Sequence, residues 1–189
     1  MNPRFAGLAA LALGACGILF PAGAGAGVVG CEGKPTIVGT ERDDTIRGTS
    51  ERDIVVGLGG DDTIYGLGGG DLLCGDGGND LIFGGPGRDS GLHGGLGNDT
   101  IIGGGGSDTL YGEDGHDVLK GRGSNDLLLG LGKDRLLGGD GDDSAEGGRG
   151  DDRLKGGAGN DSLFGNGGTD RIDGGPGRDT CDGESEESC

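Results

Sequence analysis

Asp44, Asp53, Asp62, Asp71, Asp80, Asp89, Asp99 and Asp108 follow one another at nine- or ten-residue steps. Asp117, Asp126, Asp134, Asp143, Asp152, Asp161, Asp170 and Asp179 continue the series at steps of eight or nine. A single aspartate at such a spacing can cap its own turn through a side-chain hydrogen bond. Sixteen without a gap point to a shared ligand. Hard divalent cations fit, and calcium fits best, because it accepts six to eight carboxylate and carbonyl oxygens in loose geometry. Magnesium demands a tighter octahedron.

The residues around each aspartate say what must position it. Residues 147–173 read GGRGDDRLK, GGAGNDSLF and GNGGTDRID, with glycine first, aspartate sixth and one apolar residue eighth. Units of this kind run from Gly39 to Asp182, with one residue added near His93 and one lost after Gly130. The eighth position holds Val, Ile or Leu in thirteen of the sixteen units, the exceptions being Gly91, Ala145 and Cys181. A segment such as Asp108-Thr-Leu-Tyr reads as a three-residue strand with its middle side chain turned inward. The glycines before it supply a tight turn. Strand, turn, strand, turn closes one coil in eighteen residues and puts alternate strands on opposite walls. The fold class expected is all-β, with two parallel sheets sharing a thin core. Eight coils at about 4.8 Å each make a rod of roughly 35–40 Å.

These units resemble the G-G-x-G-x-D-x-U-x nonapeptides of the repeats-in-toxin (RTX, haemolysin-type) calcium-binding family, and the resemblance covers residues 39–182. It implies a parallel β-roll, a right-handed two-sheet β-solenoid of about sixteen nonapeptide units. It also implies that each Ca2+ ion sits between two turns on the same wall, two units apart in sequence. Eight turns per wall leave fourteen such gaps. About a dozen are expected to hold calcium, because Arg42 and Glu51 replace the fourth-position glycine of the first two units. Ser124 does the same in the tenth.

Composition narrows the function. The chain has 189 residues, 53 of them glycine, and a net charge of −18. So negative a chain repels nucleic acid and anionic membranes and attracts cations. Glycine excludes helix as the main element, and low hydrophobicity alone would suggest disorder, but a disordered tail has no reason to keep a strict period. No G-x-S-x-G or H-E-x-x-H motif is present, and little chain lies outside the repeats to hold a catalytic domain. The expectation is therefore no enzyme. His93 and His116 are expected in solvent.

Residues 1–26 read as a secretory signal peptide, with Arg4 before an apolar stretch too short and glycine-broken for a membrane span. The alternative is a lipoprotein signal ending at Cys16. Residues 27–38 are then an N-terminal cap, 39–182 the repeats and 183–189 an acidic C-terminal cap. Many RTX proteins carry an uncleaved C-terminal export signal, whereas this chain ends in GESEESC. Without Cys16 four cysteines remain, as expected for disulfides in an oxidising compartment. Cys181 with Cys189 and Cys31 with Cys74 is the pairing that closes a short loop at each end. The function expected is a secreted or surface-associated calcium-binding repeat protein that folds outside the cell. An adhesive or ice-binding roll is the alternative.

Overall fold

The computed structural model describes residues 33–183, 185–187 and 189. The expected leader, residues 1–26, and Cys31 lie outside the described residues. Strands β1 (Ile37–Val38), β2 (Thr45–Arg47), β3 (Ile54–Gly59), β4 (Thr63–Tyr65), β5 (Leu72–Gly77) and β6 (Leu81–Pro86) come first. β7 (Gly91–Leu96), β8 (Thr100–Gly105), β9 (Thr109–Asp114), β10 (Val118–Gly123), β11 (Leu127–Leu129) and β12 (Arg135–Asp140) follow. β13 (Ser144–Arg149), β14 (Arg153–Ala158), β15 (Ser162–Gly167), β16 (Arg171–Asp173), β17 (Thr180–Asp182) and β18 (Ser185–Glu187) complete the set. Odd-numbered strands form one nine-stranded sheet and even-numbered strands the other. Every neighbouring pair is parallel, as between Ile46 and Ile64 or Val55 and Leu73. The result is an all-β, two-sheet solenoid of about eight turns, with no helix among the described residues.

Many strands are longer than the three residues expected. β9, for example, continues through Gly112 into the next turn, so ladder bonding extends into many of the glycine-rich segments, though β4, β11 and β16 stop at three residues. The extension follows from glycine's lack of a side chain, which lets consecutive coils stay in contact where the chain begins to bend.

The core is one line of side chains. Ile46, Val55, Ile64, Leu73 and Ile82 begin it and Leu154, Leu163 and Ile172 end it, all buried. At the inserted residue the pattern needs correction. Leu92, not Gly91, pairs in register with Leu73 and Leu110 and is fully buried. The amide of Ser90 donates to the Asp71 carbonyl, and Gly91 still pairs with Leu72, so the extra residue is absorbed as a bulge between Asp89 and Leu92. The inward column therefore has a Val, Ile or Leu at every place from Ile46 to Ile172 except Ala145.

Leu128 lies in this column with Leu110 on one side and the small Ala145 on the other. Its truncation leaves a void beside the already small Ala145. We expect Leu128→Ala to cost about 2–5 kcal/mol, read as a lower denaturant midpoint in calcium. A loss below about 0.5 kcal/mol would show that the column does not hold the coils together.

A second, small cluster lies on the outside of the odd-numbered sheet. Val56 and Cys74 are fully buried there, with Leu72, Ile54 and Leu58 around them. Gly33 fits against Ile54, where a methyl group would meet its Cδ1 at 2.9 Å. Cys74 is disulfide-bonded. At the far end Cys181 packs on the core and is bonded to Cys189, the two Cα atoms 6.0 Å apart. β18 adds to the edge of β16, and Gly183 lies against Ile172.

Candidate functional site

Each aspartate is held at the step from turn to strand. Its carbonyl accepts a ladder bond from the next coil, as Asp44 does from the amide of Thr63 and Asp62 from that of Leu81. Its side chain points into the turn instead of outward. From Asp53 to Asp170 the aspartates of the series are buried, none more than 5 % exposed. Asp44 and Asp179, at the two ends, are half-buried.

In every aspartate of the series from Asp62 onward, Oδ1 accepts the backbone amide of the aspartate one coil earlier, whereas Asp53 Oδ1 accepts the Thr36 hydroxyl. The amide of Asp44 donates to Asp62, Asp62 to Asp80, Asp80 to Asp99 and Asp99 to Asp117. Asp117 to Asp134, Asp134 to Asp152 and Asp152 to Asp170 finish that wall. The other wall runs Asp53, Asp71, Asp89, Asp108, Asp126, Asp143, Asp161, Asp179 in the same way. All fourteen bonds are 2.7–2.9 Å long. The structure thus brings the sixteen predicted aspartates into two columns of eight.

The second carboxylate oxygen separates them. In Asp62, Asp71, Asp80, Asp89, Asp99, Asp108, Asp117, Asp126, Asp143, Asp152 and Asp161, Oδ2 is buried and has no hydrogen-bond partner. In three others a donor has taken it. Thr40 gives its amide and hydroxyl to Asp44, both at 2.7 Å, and Thr49 does the same for Asp53 at 2.7 and 2.9 Å. The amide of Gly132 reaches Asp134 at 3.0 Å, because the missing residue shortens that turn.

The glycines are there to admit this arrangement. A methyl on Gly75 would collide with Asp80 Oδ2 and with the carbonyl of Gly94 one coil on. Gly78 has φ +135° and faces the carbonyl of Gly60 so closely that no side chain fits. Unpartnered carboxylate oxygens and backbone carbonyls therefore crowd the same glycine-rich turns. Ser124 keeps the left-handed conformation at φ +79°, so the tenth turn retains its shape.

Burial without a donor pushes these carboxyls above the ordinary carboxylate range, helped by the neighbouring carboxylates in each column. Asp80, Asp89, Asp108, Asp117, Asp143 and Asp152 rise to about 6. Asp99 and Asp126 rise to about 7. The Oδ1 bond from the preceding coil works the other way in each case and is outweighed by desolvation.

Among the described residues no three His, Cys, Asp or Glu side chains converge as a metal cluster. What the turns do offer is buried carboxylate oxygens beside backbone carbonyls, oxygen donors of the kind calcium takes. A model of the RTX calcium-binding nonapeptide repeat matches residues 38–73, 68–90, 93–128, 121–154, 129–163 and 146–181. The chain belongs to the RTX calcium-binding nonapeptide repeat family. A comparison with curated proteins found no match.

Several features of the RTX turns escape the sequence pattern. Asp76, in the second position of its unit, also has a buried, unpartnered Oδ2, and burial raises it to about 6. Its place beside Gly75 was the available signal. Fifth-position residues form an outer ladder in the opposite sense: the side chain of each coil accepts the amide of the next, through Asp43, Asp61, Asn79, Asn98 and His116. His93 is not in solvent. It stacks on Tyr111 at 4.4 Å, meets Glu113 at 2.9 Å and is only 12 % exposed. The bulge after Asp89 puts it on the sheet instead of in a turn. His116 is exposed, as expected.

Proposed function

We propose that this chain is a secreted calcium-binding protein whose turns each hold an ion against the next coil, and whose repeats fold when calcium is met outside the cell. The observation that carries the reading is the set of eleven sixth-position aspartates whose buried Oδ2 has no donor. A buried carboxylate oxygen is costly unless something positive or protic meets it. In this proposal a calcium ion does so, held by Asp62, Asp71, Asp80, Asp89, Asp99, Asp108, Asp117, Asp126, Asp143, Asp152 and Asp161. Backbone carbonyls of the same turns supply the remaining oxygens. Asp170 and Asp179 are weaker candidates at the end of each column. Asp44, Asp53 and Asp134 are the poorest, since amides or hydroxyls already occupy them. Calcium would supply charge neutralisation and a tie between coils, not a reaction, and the chain acts as a binding protein rather than an enzyme.

Export is supported by the leader-like residues 1–26 and by the habit of RTX proteins, which are typically exported. Residues 27–38 and 183–189 serve as end caps in this reading. The Cys181–Cys189 bond and the added β18 support the second of these. No helix among the described residues is long and apolar enough to cross a membrane. The outward faces do not favour an ice-binding roll: Tyr65, Phe83, Ile102, Lys120 and Leu137 succeed one another along one register line, which is neither flat nor uniform.

Native mass spectrometry across a calcium titration tests the proposal. About eleven ions are expected to bind, with Asp99→Asn reducing the number and Asp53→Asn leaving it unchanged. Fewer than about five ions, or the same uptake from magnesium, would overturn it.

A further inference from the structure

Five of the fifteen basic residues of this acidic chain share one face. On the outer face of the even-numbered sheet, β12, β14 and β16 place Arg135, Arg153 and Arg171 in one register column. All three are exposed. Among the described residues neither Arg135 nor Arg153 has an acidic partner. Lys120 and Lys155 stand on the same face beside the column, on either side of Leu137. Lys155 also meets Asp173 at 2.8 Å. The matching places on the opposite sheet hold Leu127 and Leu129, Ser144 and Glu146, and Ser162 and Phe164, with no basic residue.

Like charges directly opposite one another in a sheet are destabilising. The fold does not require them here, for the same register line earlier in this sheet holds Thr45, Thr63, Leu81, Thr100 and Val118. Arg135 and Arg153, set opposite one another on so acidic a chain, are where an anionic ligand would relieve the repulsion.

We propose that this face binds an acidic polysaccharide, a linear glycan carrying carboxylate or sulfate groups. Guanidinium groups present planar paired donors that match such oxyanions. The column advances by one strand spacing, about 4.8 Å, along the axis of the rod. It therefore meets anions strung on a line, not one isolated group. The basic strip is narrow, with exposed Asp140 and Asp151 at its margins, so a single thin chain fits where a broad duplex would be repelled. Single-stranded nucleic acid would want aromatic platforms for its bases. The aromatics of this sheet, Tyr65 and Phe83, are far along the rod and stacked on each other at 4.9 Å.

The inference stands apart from the calcium proposal, and its test is run on the full chain in calcium, with circular dichroism confirming the fold of each variant. The probe is dextran sulfate immobilised for surface plasmon resonance, with neutral dextran and a single-stranded oligonucleotide as comparisons. Wild type is expected to bind dextran sulfate with an affinity that falls steeply with salt. The Arg135→Gln, Arg153→Gln double variant should bind at least about tenfold more weakly, while Arg42→Gln, Arg52→Gln, which removes the same charge elsewhere, should bind as wild type does. Arg153→Glu alone, at the centre of the column, should match the double variant. Binding unchanged in the column variants, equal loss in the Arg42 and Arg52 control, or equal affinity for neutral dextran or the oligonucleotide would each overturn the proposal.

Discussion

In excess chelator at neutral pH the protein is expected to lose its β-sheet signal in far-ultraviolet circular dichroism, and to regain it in millimolar calcium but not in magnesium. The columns of buried aspartates are the reason. Neighbouring ionised carboxylates one strand spacing apart, about 4.8 Å, repel by roughly 3 kcal/mol at an effective dielectric constant near 20. That repulsion recurs at each of the seven steps in a column. Against it stands a core only one side chain wide. An ion that binds the folded chain alone shifts the balance by about 2.7 kcal/mol per site when present at a hundred times its dissociation constant. Several such sites decide whether the coils stack at all. A β-rich spectrum that persists in chelator at neutral pH would show that hydrogen bonding and the aliphatic column suffice.

Much of this was legible in the sequence because the period is strict. The alternation of Asp and aliphatic side chains at eighteen-residue spacing is enough to place Ile64 over Ile46 and Asp62 over Asp44. The first two units do differ from the rest, but through a different residue than the pattern suggests. Arg42 and Glu51 are the residues that break the pattern, whereas Thr40 and Thr49 are the ones that occupy the carboxylates. A hydroxyl in the second position looks like an ordinary turn residue until the side-chain direction of the aspartate is known. The inserted residue was misplaced for a similar reason. Counting from the opening glycine put Gly91 inward, but burial of an aliphatic side chain outweighs the count, and the backbone bulged to bring Leu92 into line. His93 then followed onto the sheet face. The division of labour between Oδ1 and Oδ2 could not be read from residue types. It arises only when one coil lies on the next.

The same division of labour predicts opposite effects of pH with and without calcium. In the calcium-free protein the buried carboxyls rise from an ordinary 3.8 to about 6 for Asp80 and Asp143 and about 7 for Asp99 and Asp126. A carboxyl whose value is higher when folded binds its proton more tightly in the folded state. Its contribution to stability is therefore complete below 3.8 and is lost as the pH rises through 6 to 7. Protonation removes the charge and with it most of the cost of burying Oδ2 without a donor. Acidifying the chelated protein from about pH 8 to about pH 5 should accordingly restore β-structure without any metal. In calcium the proton is a competitor for the same oxygen, so the calcium concentration needed for half-folding should rise at least about tenfold between about pH 8 and pH 6. Asp99→Asn, which cannot ionise, should weaken both responses. Circular dichroism over a grid of pH and calcium measures all three. A calcium-free protein no more folded at acidic than at alkaline pH would mean that the buried Oδ2 atoms do not govern the fold.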